Sequence, residues 1–290
     1  MITVAIGLVS ALVYGAADFL GGTASRRISP VRVTAVAAIA GLVVLGLALP
    51  FVGGTWSREA VVLGALSGVS GAVAIGLLYA CLAIGPMSIL SPLTAVVSAI
   101  VPLAVGLVGG ERLAAIGYVA LGIALVAVVL VGFVPEKGAV RPRLAGVVMA
   151  VGSGAAIGVF LVIIDRTPDD SGLVPLVVNR GVSGLIMFAI VGLLAVRRRA
   201  ATAPGGGPAA GLWLPGLRLA IACGVVDAVA NTGLLLGVRI GELSVIAVLT
   251  ALYPAGTIIL AAVVHKERIA PVQIVGLMLA VAAGGMLALA

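Results

Sequence analysis

Charge is the scarcest ingredient of this sequence. Only 9% of its 290 residues are Asp, Glu, Lys or Arg, against about a quarter in a soluble globular domain. The chain therefore has too few charged side chains to cover a surface facing water. Cysteine is nearly absent: Cys81 and Cys223 both lie inside apolar runs, where they read as small buried hydrophobes. A disulfide framework and a cysteine-based zinc site are excluded. There is one histidine, His265, beside Lys266 in a connection, and it reads as solvated. No HExxH, no GxGD and no Walker sequence occurs, so neither an intramembrane protease nor an ATP-driven pump finds its chemistry here. The expectation is a protein that is not an enzyme and holds no cofactor or metal. The first apolar run has no basic segment before it, so it reads as part of the body and not as a signal peptide.

What the sequence has is apolar length. Hydrophobic residues make up 62% of the chain, with a mean hydropathy of +1.35. A helix crossing the hydrocarbon core needs roughly 17–25 apolar residues. Punctuation by charge, proline and glycine divides the chain into ten such runs, near 3–22, 31–52, 60–83, 88–109, 113–134, 144–164, 173–195, 214–238, 243–264 and 270–289. They lack the alternation of barrel strands. The expected fold is an all-α polytopic membrane protein. The longest connection, RRRAATAPGGGPAAG near 197–211, is too short to be a domain. Gly64/Gly68 and Gly154/Gly158 form GxxxG pairs, which predict packing seams. The net charge of +7 is dispersed over short connections, so its partners are lipid headgroups and not nucleic acid.

The chain repeats itself. Shifting it by 156 positions lays IGPMSILSPLTAVVSAIVPLAVGLVGGERLA on IGELSVIAVLTALYPAGTIILAAVVHKERIA without a gap. Gly85 meets Gly241, Ser88 meets Ser244, Thr94 meets Thr250, and Glu111-Arg112 meets Glu267-Arg268. A fainter echo sets Gly15-Ala16-Ala17 against Gly154-Ala155-Ala156. Each unit holds five spans. Because five is odd, the second unit enters the membrane upside down, a recurrent build of secondary transporters with the site near mid-membrane. The expected units are 1–135 and 143–290.

These features, together with YGAADF in the first span and Arg180 in the seventh, resemble the EamA type of the drug/metabolite transporter superfamily. The resemblance implies ten helices in two inverted repeats. It also implies movement of small organic solutes, often export, without ATP. Tyr14 stands where a tryptophan often occurs in that family, and a lysine often found late in the first span is absent. The resemblance places both termini inside the cell membrane. The basic residues point the other way, since twelve lie on the side of the odd-numbered connections and four on the other, which by the positive-inside tendency puts the termini outside. We follow the resemblance, and tag accessibility decides between the two.

Charged groups at membrane depth mark function by default. Asp18 lies about a turn inside the end of span one. It reads either as an interfacial acid paired with Arg26 or Arg27, or as a proton-titrating or substrate-contacting group in a cavity. Asn179 and Arg180 lie too deep in span seven for easy snorkelling. Asp227 is midway along span eight, with Asn231 one turn on along the same face. An Arg180–Asp227 pair could serve transport, or could merely pin spans seven and eight together. Tyr14, Tyr79 and Tyr253 offer hydroxyls or aromatic walls, and belt positions at the interface are the alternative. Pro92, Pro102 and Pro254 interrupt backbone bonding in spans four and nine, and Pro92 and Pro254 are candidate gates. Glu111 and Glu267 are expected to complement the dipoles of spans five and ten.

The leading expectation is a secondary transporter with protons as a candidate coupling ion, moving a small molecule by alternating access between the repeats. A passive facilitator or a lipid-linked flippase of the same fold is the alternative. A homodimer is allowed by the sequence and not specified by it.

Overall fold

The computed structural model describes residues 1–25, 27–84, 87–132, 143–201, 214–264, 266 and 269–289. Its helices are α1 (Ile2–Ser25), α2 (Pro30–Val52), α3 (Arg58–Ile84), α4 (Met87–Val108), α5 (Ala115–Gly132) and α6 (Leu144–Asp165), then α7 (Val174–Ala201), α8 (Leu214–Ile240), α9 (Leu243–Thr250), α10 (Tyr253–Val264) and α11 (Pro271–Leu289). Seven stretches are long and apolar enough to cross a membrane, with α9 and α10 counted as one, and α4, α5 and α11 supply three shorter apolar helices. No strand occurs among the described residues. The chain is an all-α polytopic membrane protein, as its apolar runs predict. Burial follows the same logic, because large side chains such as Leu47, Phe51, Val108 and Val281 face outward while alanines dominate the interior. Small residues let helices approach closely where lipid, not water, lies outside.

Polar contacts at the helix ends define two faces. On the first, Thr3 Oγ1 donates to the Ile240 carbonyl at 3.5 Å, and Leu173 N donates to the Gly53 carbonyl at 3.3 Å. The start of α1, the end of α8 and the connections after α2 and α6 therefore share this side, here called the N-terminal face. At the opposite face Gly216 packs on Ala24 and Ile28, and Gln273 Nε2 donates to the Val131 carbonyl at 3.2 Å. Helix α1 thus begins at the face where α6 ends, so the two run in opposite senses.

The packing partners exchange when each helix is replaced by its counterpart in the other half. Helix α1 packs on α8 and α3 on α6; α2 packs on α8 and α3 on α7; α4 packs on α6, and α9 and α10 on α1. The pairs α2·α7, α4·α9 and α5·α11 map onto themselves. This is the pattern of a two-fold relation. The close crossings are duplicated too. A Cβ on Gly15 would lie 2.5 Å from the Tyr253 carbonyl, and one on Gly154 would lie 2.7 Å from Val97 Cβ; positions 97 and 253 are 156 apart. Gly64, Gly68, Gly154 and Gly158 all lie against another helix, so the GxxxG pairs are packing seams. The principal partners of most helices in each half lie in the other half. Two mixed groups result, with α1, α8, α9 and α10 packed on one side and α3, α4 and α6 on the other.

Span nine is broken. Helix α9 ends at Thr250, a turn occupies Ala251–Leu252, and α10 starts at Tyr253. Pro254, lacking an amide hydrogen, cannot continue the i→i−4 ladder across this point. Helix α4 runs unbroken through Pro92 and Pro102. The side chains of Tyr79 and Pro92, the connection carrying Lys137 and Arg141, most of the 197–211 connection, and Arg26, His265, Glu267 and Arg268 lie outside the described residues.

Candidate functional site

One cavity of about 210 Å³ lies among the helices of both halves. Tyr14, Asp18, Asn179, Arg180, Asp227, Asn231 and Tyr253 all line it. Seven polar positions from four helices, scattered over 240 residues of sequence, meet in one place.

The centre of the wall is an ion pair between Arg180 on α7 and Asp227 on α8, with the two side chains 16% and 25% exposed. Among the described residues it is the one salt bridge in the protein. Gly41 on α2 lies beside the Arg180 side chain and close to α8, where a Cβ would come 3.2 Å from the Gly224 carbonyl. The pair leaves Arg180 Nε buried and without a hydrogen-bond acceptor among the described residues. Asn231 Nδ2 donates to the Asp227 carbonyl at 2.8 Å one turn below, which fixes the Asn231 side chain beside the pair.

Tyr14 and Asp18 are four residues apart, so they share one face of α1. Their helix is fixed by the Gly15 crossing, where Thr257 Oγ1 donates to the Gly15 carbonyl at 3.1 Å. This contact sets Tyr253, at the start of α10, beside the same wall. Asp18 is an exposed residue of the cavity lining.

Asn179 is 4% exposed, and its Nδ2 donates to Ser67 Oγ at 2.9 Å. Its amide nitrogen therefore ties α7 to α3, and its place in the wall is mainly structural. Pro254 is buried just past the break, and the cavity lining includes Thr250, Ala251 and Tyr253 on either side of it.

Ser98, Ser183, Thr34 and Thr250 also line the cavity and were not singled out by the sequence. Three of them bond within their own helices: Thr34 to the Pro30 carbonyl, Ser98 to Ala95, and Thr250 to Ile246. A hydroxyl satisfied this way gives no signal that separates it from an ordinary membrane-helix Ser or Thr.

Glu111 departs from expectation. Its carboxylate does not serve the start of α5. It accepts from the backbone amides of Leu243 at 2.7 Å and Ser244 at 3.1 Å, capping α9 in the other half. Beside it, Glu242 has its pKa raised, first by burial and then by the Glu111 carboxylate, with Asp165 adding to the effect.

An apolar cluster lies between the cavity lining and the N-terminal face. Leu161, Ile164, Leu176, Leu234, Val238 and Leu243 belong to one apolar cluster there, drawn from α6, α7, α8 and α9. Toward the opposite face the packing is divided. Ala24, Ile28, Val33 and Ala220 cluster among α1, α2 and α8, while Leu90 and Ala150 cluster with neighbours on α3, α4 and α6.

No curated protein matches this chain. Among solved structures, 29 chains match. One, titled "Crystal structure of protein", is 18% identical with a TM-score of 0.74, covering 99% of this chain and 98% of that one; the two share a fold. A model of the EamA-like transporter family matches residues 144–289, half of the 290-residue chain. With its helices and cavity in view, the conclusion is direct: this chain belongs to the EamA-like transporter family, a membrane transporter family of the drug/metabolite type.

Proposed function

We propose that the protein is a secondary transporter that exports a small organic solute across the cell membrane by alternating access. The observation that carries this reading is the cavity itself, with an Arg180–Asp227 pair and Asp18 in a wall contributed by both halves. Charged side chains at this depth are expensive and serve a wet pathway. The exchange of packing partners between halves supports two inverted repeats, 1–135 and 143–290, as the device that inverts access.

Cavity size bears on the solute. At about 210 Å³ the site is smaller than the roughly 300–1,000 Å³ that takes drug-sized ligands. A metabolite of modest size fits better than a bulky drug. Tyr14 and Tyr253 offer flat apolar walls with hydroxyls, Asn231 and Arg180 offer hydrogen-bond donors, and Asp18 and Asp227 are the carboxylates through which protons couple. Pro254 places a pivot beside the site. Lipids cover the outward apolar side chains.

A counterflow screen of small metabolites in proteoliposomes tests the proposal. A solute should exchange across the membrane, and an imposed pH gradient should drive its accumulation. Equilibration that never exceeds the solute's own gradient would favour a passive facilitator. Failure of every solute, with transbilayer movement of a labelled lipid instead, would favour the flippase.

A further inference from the structure

Two contacts at the N-terminal face join the mixed helix groups that flank the cavity. The first belongs to Arg239, in the last turn of α8. Its Nη2 donates to Ser171 Oγ at 3.0 Å, to the Gly172 carbonyl at 3.1 Å and to the Pro168 carbonyl at 3.3 Å. All three acceptors lie in the connection between α6 and α7. That connection is itself tied to the first half, since Thr55 Oγ1 donates to Asp170 Oδ2 at 2.7 Å and Thr55 N donates to the Asp170 carbonyl at 2.9 Å. The second contact is Glu111 on the Leu243 and Ser244 amides. A carboxylate on the free amides of a helix start combines a charge-assisted hydrogen bond with the helix dipole. Glu111 reaches α9 by folding back over Gly106, where any Cβ would collide with its Oε2.

Both contacts close over the apolar cluster that separates the cavity from this face. The Arg239 contacts lie within the second half and tie α8 to the connection after α6, whereas Glu111 crosses between the halves and ties the connection after α4 to α9. The 156-residue offset carries position 239 to Ala83, whose methyl cannot make the hydrogen bonds of a guanidinium.

We propose that Arg239 and Glu111 form a latch that holds the N-terminal face shut, and that both must release before the cavity opens there. The proposal rests on the carrier reading above for its purpose, and on the contacts alone for its geometry. The latch favours the state closed at the N-terminal face, and a solute reaching the cavity from that side must wait for it to part.

The test uses the full-length protein in vesicles of sorted orientation, with Cys81→Ser and Cys223→Ser and a reporter Ala247→Cys in the cavity wall. A membrane-impermeant maleimide is added at the N-terminal face. Labelling should be slow with the latch intact and at least tenfold faster with Glu111→Gln or Arg239→Ala. Gly106→Ala, which keeps the carboxylate and displaces it, should speed labelling in the same direction. Equal rates in all of these proteins would overturn the proposal. The variants should keep a melting temperature close to that of the native protein; faster labelling that comes only with a large fall in melting temperature would mean general loosening and would also overturn it. Because no solute is needed, a protein that labels as expected yet moves nothing would retain the latch and remove the carrier reading.

Discussion

Spans four and nine hold the same place in their halves, 156 residues apart, yet they take different shapes. Helix α4 runs continuously from Met87 to Val108 through two prolines. Span nine divides at Ala251–Leu252 with one proline, Pro254. The offset pairs Pro254 with Ser98, which keeps its amide, so the two copies differ at the residue that decides continuity. The difference teaches that related sequences here adopt unlike conformations.

The sharpest way to break the comparison is to give span four the residue of span nine. Ser98→Pro removes a helix-interior amide and should cost about 3 kcal/mol. It should be read as a large drop in the melting temperature of the detergent-solubilised protein. Pro254→Ala should leave melting nearly unchanged, because the break is already satisfied by the Ala251, Leu252 and Ala255 amides, while altering solute exchange. A comparable melting loss in both variants would mean the spans are equivalent after all.

The crossings beside each span come next. Gly15→Ala and Gly154→Ala drive a methyl into backbone or Cβ atoms of the facing helix, and each should cost roughly 1–3 kcal/mol. Thermal unfolding of the two single variants should give similar losses if the crossings are true counterparts. Tolerance of one substitution alone would deny that they are.

The smallest expected effect is electrostatic and lies beside the start of α9. The raised pKa of Glu242 means the folded protein holds that proton more tightly than the unfolded chain. Stability is therefore greatest below the ordinary carboxylate value of 4.5 and falls as pH rises through the raised folded value. A melting-temperature profile should show this decline, and Glu242→Gln should flatten it. A profile in the variant that matches the native one would remove Glu242 as the source.

Much of this molecule was legible in its sequence, and for definite reasons. Ten apolar runs predict ten spans because lipid forces every backbone amide into a helix, and the observed bounds agree within a few residues for most. Span seven extends further, to Ala201, because its arginines lie beyond the apolar stretch and still suit a helix. Arg180, Asp227, Asp18 and Asn231 stood out because charge and amide groups are rare at depth. Asn179 stood out for the same reason, yet its amide nitrogen bonds Ser67. Glu111 was visible as a repeated acid, but its partner 132 residues away is a backbone amide, which carries no sequence signature. The interleaving of the halves was equally hidden, since a linear repeat says nothing about which helices it packs against.

The central claim is that this cavity works as a solute pathway through its charged centre. Its most direct measurement is pH-gradient-driven solute flux in proteoliposomes, comparing the native protein with Asp227→Asn and Asp18→Asn at matched insertion. The account predicts that each substitution lowers gradient-driven flux at least tenfold while the proteins still insert. Native, gradient-dependent flux in both variants would contradict it.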